Sequence, residues 1–280
     1  KEKKFRHYSL DINAPRLMYG KRHFINQAIE QVRQIWIELG FKEMIGNIVQ
    51  PSFWNFDALF TAQDHPVREL QDTFFLANPK YGKLPSSKLV AKVRQQHESG
   101  WKYAWQEEEA KKNVLRTHTT VLSARTITAL KHSDLPAKFF SISSCFRNEA
   151  LDNNHLFEFH QVEGIVIDEN ANFQHLLGYL SEFYKKMGYK KIRLKPSYFP
   201  YVEPAIQIDV YDHETKRWLE RGGAGIFRPE VVKPLLGKDI PVLAWGQGLA
   251  RIAVDYHKLK DIRDLYKNDL YQLRNMKSMI

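Results

Sequence analysis

The chain has 280 residues, 43% of them hydrophobic, and a formal charge of +10 from 42 basic and 32 acidic side chains. That is enough for a substantial core, as one large α/β unit or two smaller domains, while no run of about 18 apolar residues offers a helical membrane span and the opening KEKKFRHYSL lacks a signal peptide's apolar centre. The lone Cys145 excludes an internal disulfide and a CxxC zinc knuckle, which fits a reducing compartment and makes a cytoplasmic address the default expectation. A start on Lys1 in place of Met is what a fragment or a processed chain would show. The positive balance suits nucleic acid or nucleotide phosphates, and equally an ordinary basic enzyme surface, because the basic residues are spread along the chain.

After a basic leader, HFINQAIEQVRQIWIELGF carries apolar residues at Ile25, Ala28, Ile29, Val32, Ile35, Trp36 and Leu39, a helical spacing that Gly40 ends. KEMIGNIVQPSFW reads as a strand broken by Pro51, which belongs at an edge, a bulge or an interface because proline cannot donate to a ladder. Residues 81–112 are polar and charged and read as an insertion with partly helical arms, a solvated excursion from the core. VLRTHTTVLSARTITAL is a short strand leading into a helix, AKFFSISSCFRNE a strand, and residues 157–168 another strand across a short loop. FQHLLGYLSEFYKKMGY is an amphipathic helix ending at Gly188, KIRLKPSYFPYVEPAIQIDVYD two strands around a proline-marked turn, RWLERGGAGIFRPEVV a segment with a glycine-rich turn, and PVLAWGQGLARIAVDYHKL strand, glycine turn and helix. Antiparallel strands with helices between and around them predict an α+β fold with a mixed sheet. A dinucleotide-binding fold fails, since Arg251 stands where the third glycine of GxGxxG would be and no βαβ unit precedes it.

CFRNEALDNNHLFEFHQVEG, Cys145 to Gly164, concentrates charge and aromatics in one hairpin. Side chains alternate along a strand, so Arg147 and Glu149 share a face, as do Phe159, Gln161 and Glu163. Burying such a set unpaired costs several kcal/mol per charge, so the face is wet, is an internal salt-bridge network, or holds a polar ligand. As a ligand site, an arginine fork suits phosphate, a carboxylate accepts from an exocyclic amine, a phenyl ring stacks on a base, and Gln161 with Glu163 suits an ammonium. A nucleotide beside an amino acid has those features.

FRNE followed by a loop and an aromatic strand resembles motif 2 of class II aminoacyl-tRNA synthetases, GQGLAR (Gly246 to Arg251) resembles their motif 3, and the first helix with Pro51 resembles motif 1. HPVRELQDTFFL (His65 to Leu76), LRTHTT (Leu115 to Thr120), FHQVEG (Phe159 to Gly164), YFPYVEP (Tyr198 to Pro204) and LAWGQG (Leu243 to Gly248) are together similar to the α subunits of phenylalanyl-tRNA synthetases of the archaeal and eukaryotic type, over about residues 20 to 270. The resemblance implies a class II synthetase-like antiparallel sheet flanked by helices, forming one catalytic domain over 1–280 with the insertion near 81–112. It implies activation of L-phenylalanine with ATP and Mg²⁺, transfer to tRNA(Phe), and a β subunit completing an (αβ)₂ assembly. By the same resemblance Arg147 grips the α-phosphate and the amino-acid carboxylate, Glu149 reads the adenine amino group, Phe159 stacks on adenine, His155 reaches toward the β- and γ-phosphates, and Arg251 lies near the γ-phosphate. His118, Thr120, Gln161 and Glu163 form the polar end of the amino-acid site. Phe199 and Tyr201 pack on the substrate ring and Ala244 limits pocket depth. No dedicated metal motif is visible; Glu203 is nominated for Mg²⁺, with Glu163 the other acid considered. Two departures from the pattern the resemblance leads one to expect stand out: Ala250 replaces the acid that usually precedes the motif 3 arginine, and the 280 residues do not include the long N-terminal extension expected of these α subunits. A class II paralogue for another amino acid and a non-catalytic tRNA-binding subunit are the alternative readings.

Overall fold

The computed structural model describes residues 9, 20–69, 72–153, 155–213 and 215–278; the rest of the basic leader, and Leu70 and Gln71 of the HPVRELQDTFFL stretch, lie outside the described residues. The apolar spacing after the leader closes helix α1 (Phe24–Glu38), with Val32, Ile35 and Trp36 buried and the His23 imidazole accepting from the Ile25 amide at 3.2 Å. Gly40 follows at φ +81°, where a side chain would be strained. The single strand expected next is two, β1 (Lys42–Glu43) and β2 (Val49–Pro51). Between them Gly46 is pressed onto Leu122, where an added Cβ would stand 2.6 Å from Cδ2. Pro51 then opens a single turn, α2 (Ser52–Asn55).

Residues 81–112 do not form a solvated excursion. Helices α3 (Ser87–Gly100) and α4 (Glu107–Lys111) bury Leu89, Val93, His97 and Ala110, and Trp105 between them is also buried. Their polar composition misleads because only one narrow face is apolar and part of the buried contact is polar. The Asp57 carboxylate, fully enclosed, accepts from Trp105 Nε1 at 2.6 Å and Gln63 Nε2 at 3.0 Å and pairs with Arg68 at 3.1 Å, while its backbone carbonyl meets His97 Nε2 at 2.8 Å.

The remaining elements are β3 (Asn113–Leu115), α5 (Thr120–Ala129), β4 (Ala137–Phe146), β5 (Glu158–Ile167), α6 (Phe173–Lys186), β6 (Ile192–Pro196), β7 (Val202–Asp212), β8 (Arg217–Phe227), α7 (Pro229–Leu236), β9 (Val242–Gly248), α8 (Leu249–His257) and α9 (Leu270–Asn275). Seven strands make one sheet in the order β1-β4-β5-β9-β8-β7-β6, with β1 parallel to β4 and every other neighbour antiparallel. This is the α+β mixed sheet that the sequence pattern implied. β2 and β3 pair separately, which leaves Pro51 in a two-stranded edge pairing.

The glycine-rich stretch 222–225, expected as a turn, runs inside β8. A Cβ on Gly222 would stand 2.1 Å from the Gly246 carbonyl oxygen, one on Gly223 2.4 Å from the Phe199 ring, and one on Gly225 2.5 Å from the Pro204 carbonyl oxygen. These glycines permit close approach to the strand.

Register then sorts the side chains onto two faces. Phe140, Val162, Val166, Leu243 and Trp245 point to α1, α6 and α8, where Trp36 stacks on Phe183 at 4.7 Å and leans on Trp245 at 4.9 Å. Ile165, Ile167, Val242 and Ala244 point the other way, into a second core with residues of α2, α3, α5 and α7. On that second face the row through Glu163 continues across Gly246 and Gly223, two residues with no side chain. The helices cover one end of this face, and a cavity opens over the glycine row.

Candidate active site

The cavity holds about 280 Å³ and is lined by twelve of the thirteen residues nominated from sequence: His118, Thr120, Arg147, Glu149, His155, Phe159, Gln161, Glu163, Phe199, Tyr201, Ala244 and Arg251. The thirteenth, Glu203, is exposed on β7 ahead of Pro204 and does not line it. The twelve come from β5, β9, the loop entering α5 and the first residue of that helix, the segments after β4 and before β7, and the first turn of α8. The β5 parity places Phe159, Gln161 and Glu163 in one line along the floor.

Glu163 sits at the buried end. Its carboxylate accepts from Ser123 Oγ at 2.6 Å, Thr120 Oγ1 at 2.7 Å, Thr119 Oγ1 at 3.2 Å and Gln161 Nε2 at 3.4 Å. Among the described residues no lysine, arginine or histidine pairs with it. Burial raises its pKa to about 7 against the pull of the three hydroxyls. Gln161 is fixed from below, its Oε1 lying 3.7 Å from the Cys145 thiol. Burial pushes that thiol up to about 12, so it is no nucleophile at neutral pH.

His118 stands at the mouth of α5, its pKa lowered to about 3 by desolvation and then by Arg147, so the ring is neutral, and its Nδ1 has no hydrogen-bond partner among the described residues. Phe199 and Tyr201 stack at 6.3 Å between ring centres and close the apolar wall with Ala244, whose methyl group is nearly covered. Tyr201 packs edge-on against Phe227 at 6.1 Å.

At the wider end Arg147 donates through Nε to the Thr117 carbonyl at 3.3 Å, lies 5.0 Å above the Phe159 ring and 3.9 Å from Glu149. The guanidinium thus covers the phenyl face that the sequence offers to a base. His155, also on the cavity lining, contacts Asp152 at 2.9 Å. Arg251, in the first turn of α8, donates to the Glu220 carbonyl at 3.0 Å, an oxygen that also accepts from Arg221 at 3.0 Å. Arg221 is in turn paired with Asp255, whose carboxylate accepts from Tyr189 at 2.9 Å. Ala250 is buried in the core, and the β8 backbone supplies a partner for Arg251 where the acid is missing.

Sequence reasoning did not single out Thr119, Ser123, Glu220 or Arg221. Thr119, Thr120 and Ser123 stand three and four residues apart at a helix start, a spacing that puts their hydroxyls on one side; that was the available signal. The role of β8 was hidden because its glycines read as a turn. Among the described residues no group of three or more His, Cys, Asp or Glu could hold a metal. Glu149 and Glu220 are cavity acids near the arginines, and Mg²⁺ held by one or two carboxylates plus substrate phosphates needs no larger set.

A mostly antiparallel sheet with helices on both faces belongs to the class II synthetase architecture, and its cavity holds a buried carboxylate at one end and arginines at the other. The structure is similar to that of pyrrolysyl-tRNA synthetase from Desulfitobacterium hafniense, with a TM-score of 0.61 over 88% of this chain and 74% of that one, at 16% identity. The chain itself belongs to the family described as tRNA synthetases class II core domain (F), which matches residues 7–276. It is 46% identical to the phenylalanine–tRNA ligase α subunit of Methanopyrus kandleri, over 98% of this chain and 53% of that protein. Against the α subunit of Methanocaldococcus jannaschii it is 46% identical over 97% and 56%, and against that of Methanoculleus marisnigri 47% over 96% and 56%. The chain therefore spans about half the length of the curated relatives it matches.

Proposed function

We propose that this chain is the catalytic domain of a phenylalanine–tRNA ligase α subunit, which activates L-phenylalanine with ATP and Mg²⁺ and transfers it to tRNA(Phe). The observation that carries the reading is the order of groups in the cavity: an apolar aromatic end at Phe199, Tyr201 and Ala244, a buried carboxylate at Glu163, then Arg147 and Arg251. An α-amino acid with a phenyl side chain, followed by a triphosphate, matches that order. In the first step a carboxylate oxygen of phenylalanine attacks the α-phosphorus, the bond to the bridging oxygen breaks, and pyrophosphate leaves. In the second, a hydroxyl of the terminal tRNA ribose attacks the acyl carbon and AMP leaves. The chain contributes position and charge: Glu163 and Gln161 hold the ammonium, neutral His118 and Thr120 fix the polar end, Arg147 meets the charge that develops at the α-phosphate, and Arg251 binds further along the triphosphate. Glu149 and His155 serve adenine and the outer phosphates. Glu220 and Glu149 are the acids this cavity offers to Mg²⁺, which when bound would neutralise phosphate charge.

Exposed Ile45 and Ile48, between β1 and β2, and Val49, which opens β2, support a partner subunit docking beside Pro51, as an (αβ)₂ assembly would require. Among the described residues no helix is long and apolar enough to cross a membrane. The test is ATP–pyrophosphate exchange by the chain, alone and mixed with a β subunit. Stimulation by phenylalanine and by no other proteinogenic amino acid is the expected result. Exchange driven by a different amino acid would assign a paralogue, and tRNA binding with no exchange in either condition would assign a non-catalytic subunit.

A further inference from the structure

The hydroxyls around Glu163 are placed against their usual habits. Thr119 is the N-cap of α5, where a threonine normally accepts from the backbone amides of the first turn, yet its side chain makes no cap hydrogen bond and donates to Glu163. Ser123 lies one turn into the same helix, where hydroxyls commonly return to the carbonyl four residues back. Thr128, five residues on, does so, reaching the Ala124 carbonyl at 2.9 Å; Ser123 instead makes the shortest contact to Glu163. Both residues are fully buried and neither lines the cavity. Two hydroxyls diverted from the helix to one carboxylate, which has no cationic partner among the described residues, have a shared consequence. An internal lysine or arginine would stabilise the carboxylate and also neutralise it. Hydroxyls solvate the charge and leave it available to a ligand.

We propose that Thr119 and Ser123 are positioning residues of the amino-acid subsite, neutral donors that keep the Glu163 carboxylate charged and aimed at the substrate ammonium in place of a protein counter-ion. The inference rests on the reading of Glu163 as the ammonium acceptor. The other titratable and charged groups around that end of the cavity are Cys145 and Arg147 at the end of β4, His118 in the loop entering α5, and Tyr201 ahead of β7; β9 presents only Gly246 opposite Glu163. The tyrosine is pushed up to about 12 and the histidine down to about 3, so between pH 5 and 9 the group that titrates here is Glu163.

The experiment has two readouts on the full chain, with its partner subunit where exchange requires one. The first is the midpoint of the Glu163 carboxyl band by infrared difference spectroscopy, assigned by its loss in Glu163→Gln. The second is the pH profile of kcat/KM for phenylalanine and for ATP. Ser123→Ala and Thr119→Val are each expected to raise the carboxyl midpoint by about one unit, the scale of one lost hydrogen bond to a charged group. The acid limb for phenylalanine should move up with it, raising KM about fivefold at pH 7 and approaching tenfold below pH 6, while KM for ATP stays within twofold. Thr119→Ser, which keeps the hydroxyl, restores both readouts. An unmoved carboxyl midpoint, or a loss equal at every pH and for both substrates, overturns the proposal. A midpoint that shifts in a protein activating no amino acid supports the hydroxyl cage and overturns the proposed reaction, so the two failures are distinct.

Discussion

Glu163 concentrates the conflict between stability and function in a single side chain. Its folded-state pKa lies near 7 against an ordinary 4.5. A raised carboxyl pKa means that the folded state favours the proton, so the stabilising contribution is complete below about pH 4.5 and is lost as pH rises through 7. Glu163→Gln keeps the shape and removes the titration. Relative to the parent chain, the variant should gain on the order of 2 kcal/mol between pH 5 and pH 8 while losing amino-acid-dependent exchange. Urea titrations at the two pH values check this, and a constant stability difference would show that the carboxylate is solvated more fully than its burial implies. Ala244 sets a second prediction at this scale. Its methyl group lies on the cavity face between Ile165 and Gly225, so Ala244→Gly should admit para-substituted phenylalanines to exchange, and an unchanged substrate range would remove Ala244 from the pocket's end. The chemical types in the cavity were legible in sequence because strand alternation alone puts Phe159, Gln161 and Glu163 on one face. Their roles came from the resemblance. Thr119 and Ser123 escaped because a buried hydroxyl is identified by the partner it meets, and Glu163 is 40 residues or more away.

Among the elements, the helices with a single apolar stripe were readable from spacing, as α1 and α6 show. Those whose buried face is partly polar were not. α3 buries His97 with Leu89 and Val93, so a hydropathy pattern reports a surface excursion where the fold has a packed layer. β8 was obscured for a different reason: glycine in a strand and glycine in a turn look alike until the neighbouring strand is known. The three β8 glycines nevertheless differ in what surrounds them, and that separates two outcomes. At Gly222 an added methyl would meet the backbone of β9, which cannot yield without breaking the ladder, whereas at Gly223 it would meet the far end of the Phe199 ring. Gly222→Ala should therefore abolish soluble expression or lower the melting temperature by more than ten degrees, on the scale of strong core overpacking. Gly223→Ala should fold, displace Phe199, and raise KM for phenylalanine at least tenfold with little change in KM for ATP. Equal melting temperatures for the two variants would contradict this picture of β8.

For the whole molecule, the sheet is held between two cores, and the second depends on a segment that is mostly polar. What ties residues 81–112 to that core is Asp57: its carboxylate joins Arg68 to Trp105, and its carbonyl reaches His97, which in turn bonds Tyr103 at 2.7 Å. Arg68 comes from the HPVR stretch, so a sequence mark that points to the family also has a mechanical task, clamping the segment between α2 and α3 to the second core. The side chains of Asp57 and Arg68 are 0% and 8% exposed, and removing one partner of such a pair leaves the other charge buried. Asp57→Ala should cost about 3–5 kcal/mol, and the loss should be uneven. Amides of α3 and of the 101–106 linker should lose hydrogen-exchange protection before those of β5 and β9, because the first core, with Trp36, Phe183 and Trp245, does not pass through Asp57. Asp57→Asn, which keeps an acceptor for Trp105 while giving up the charge, should fall between the parent and the alanine variant. Uniform loss of protection across both cores would mean that the two layers unfold as one unit, and that the Asp57 cluster is a local contact within it.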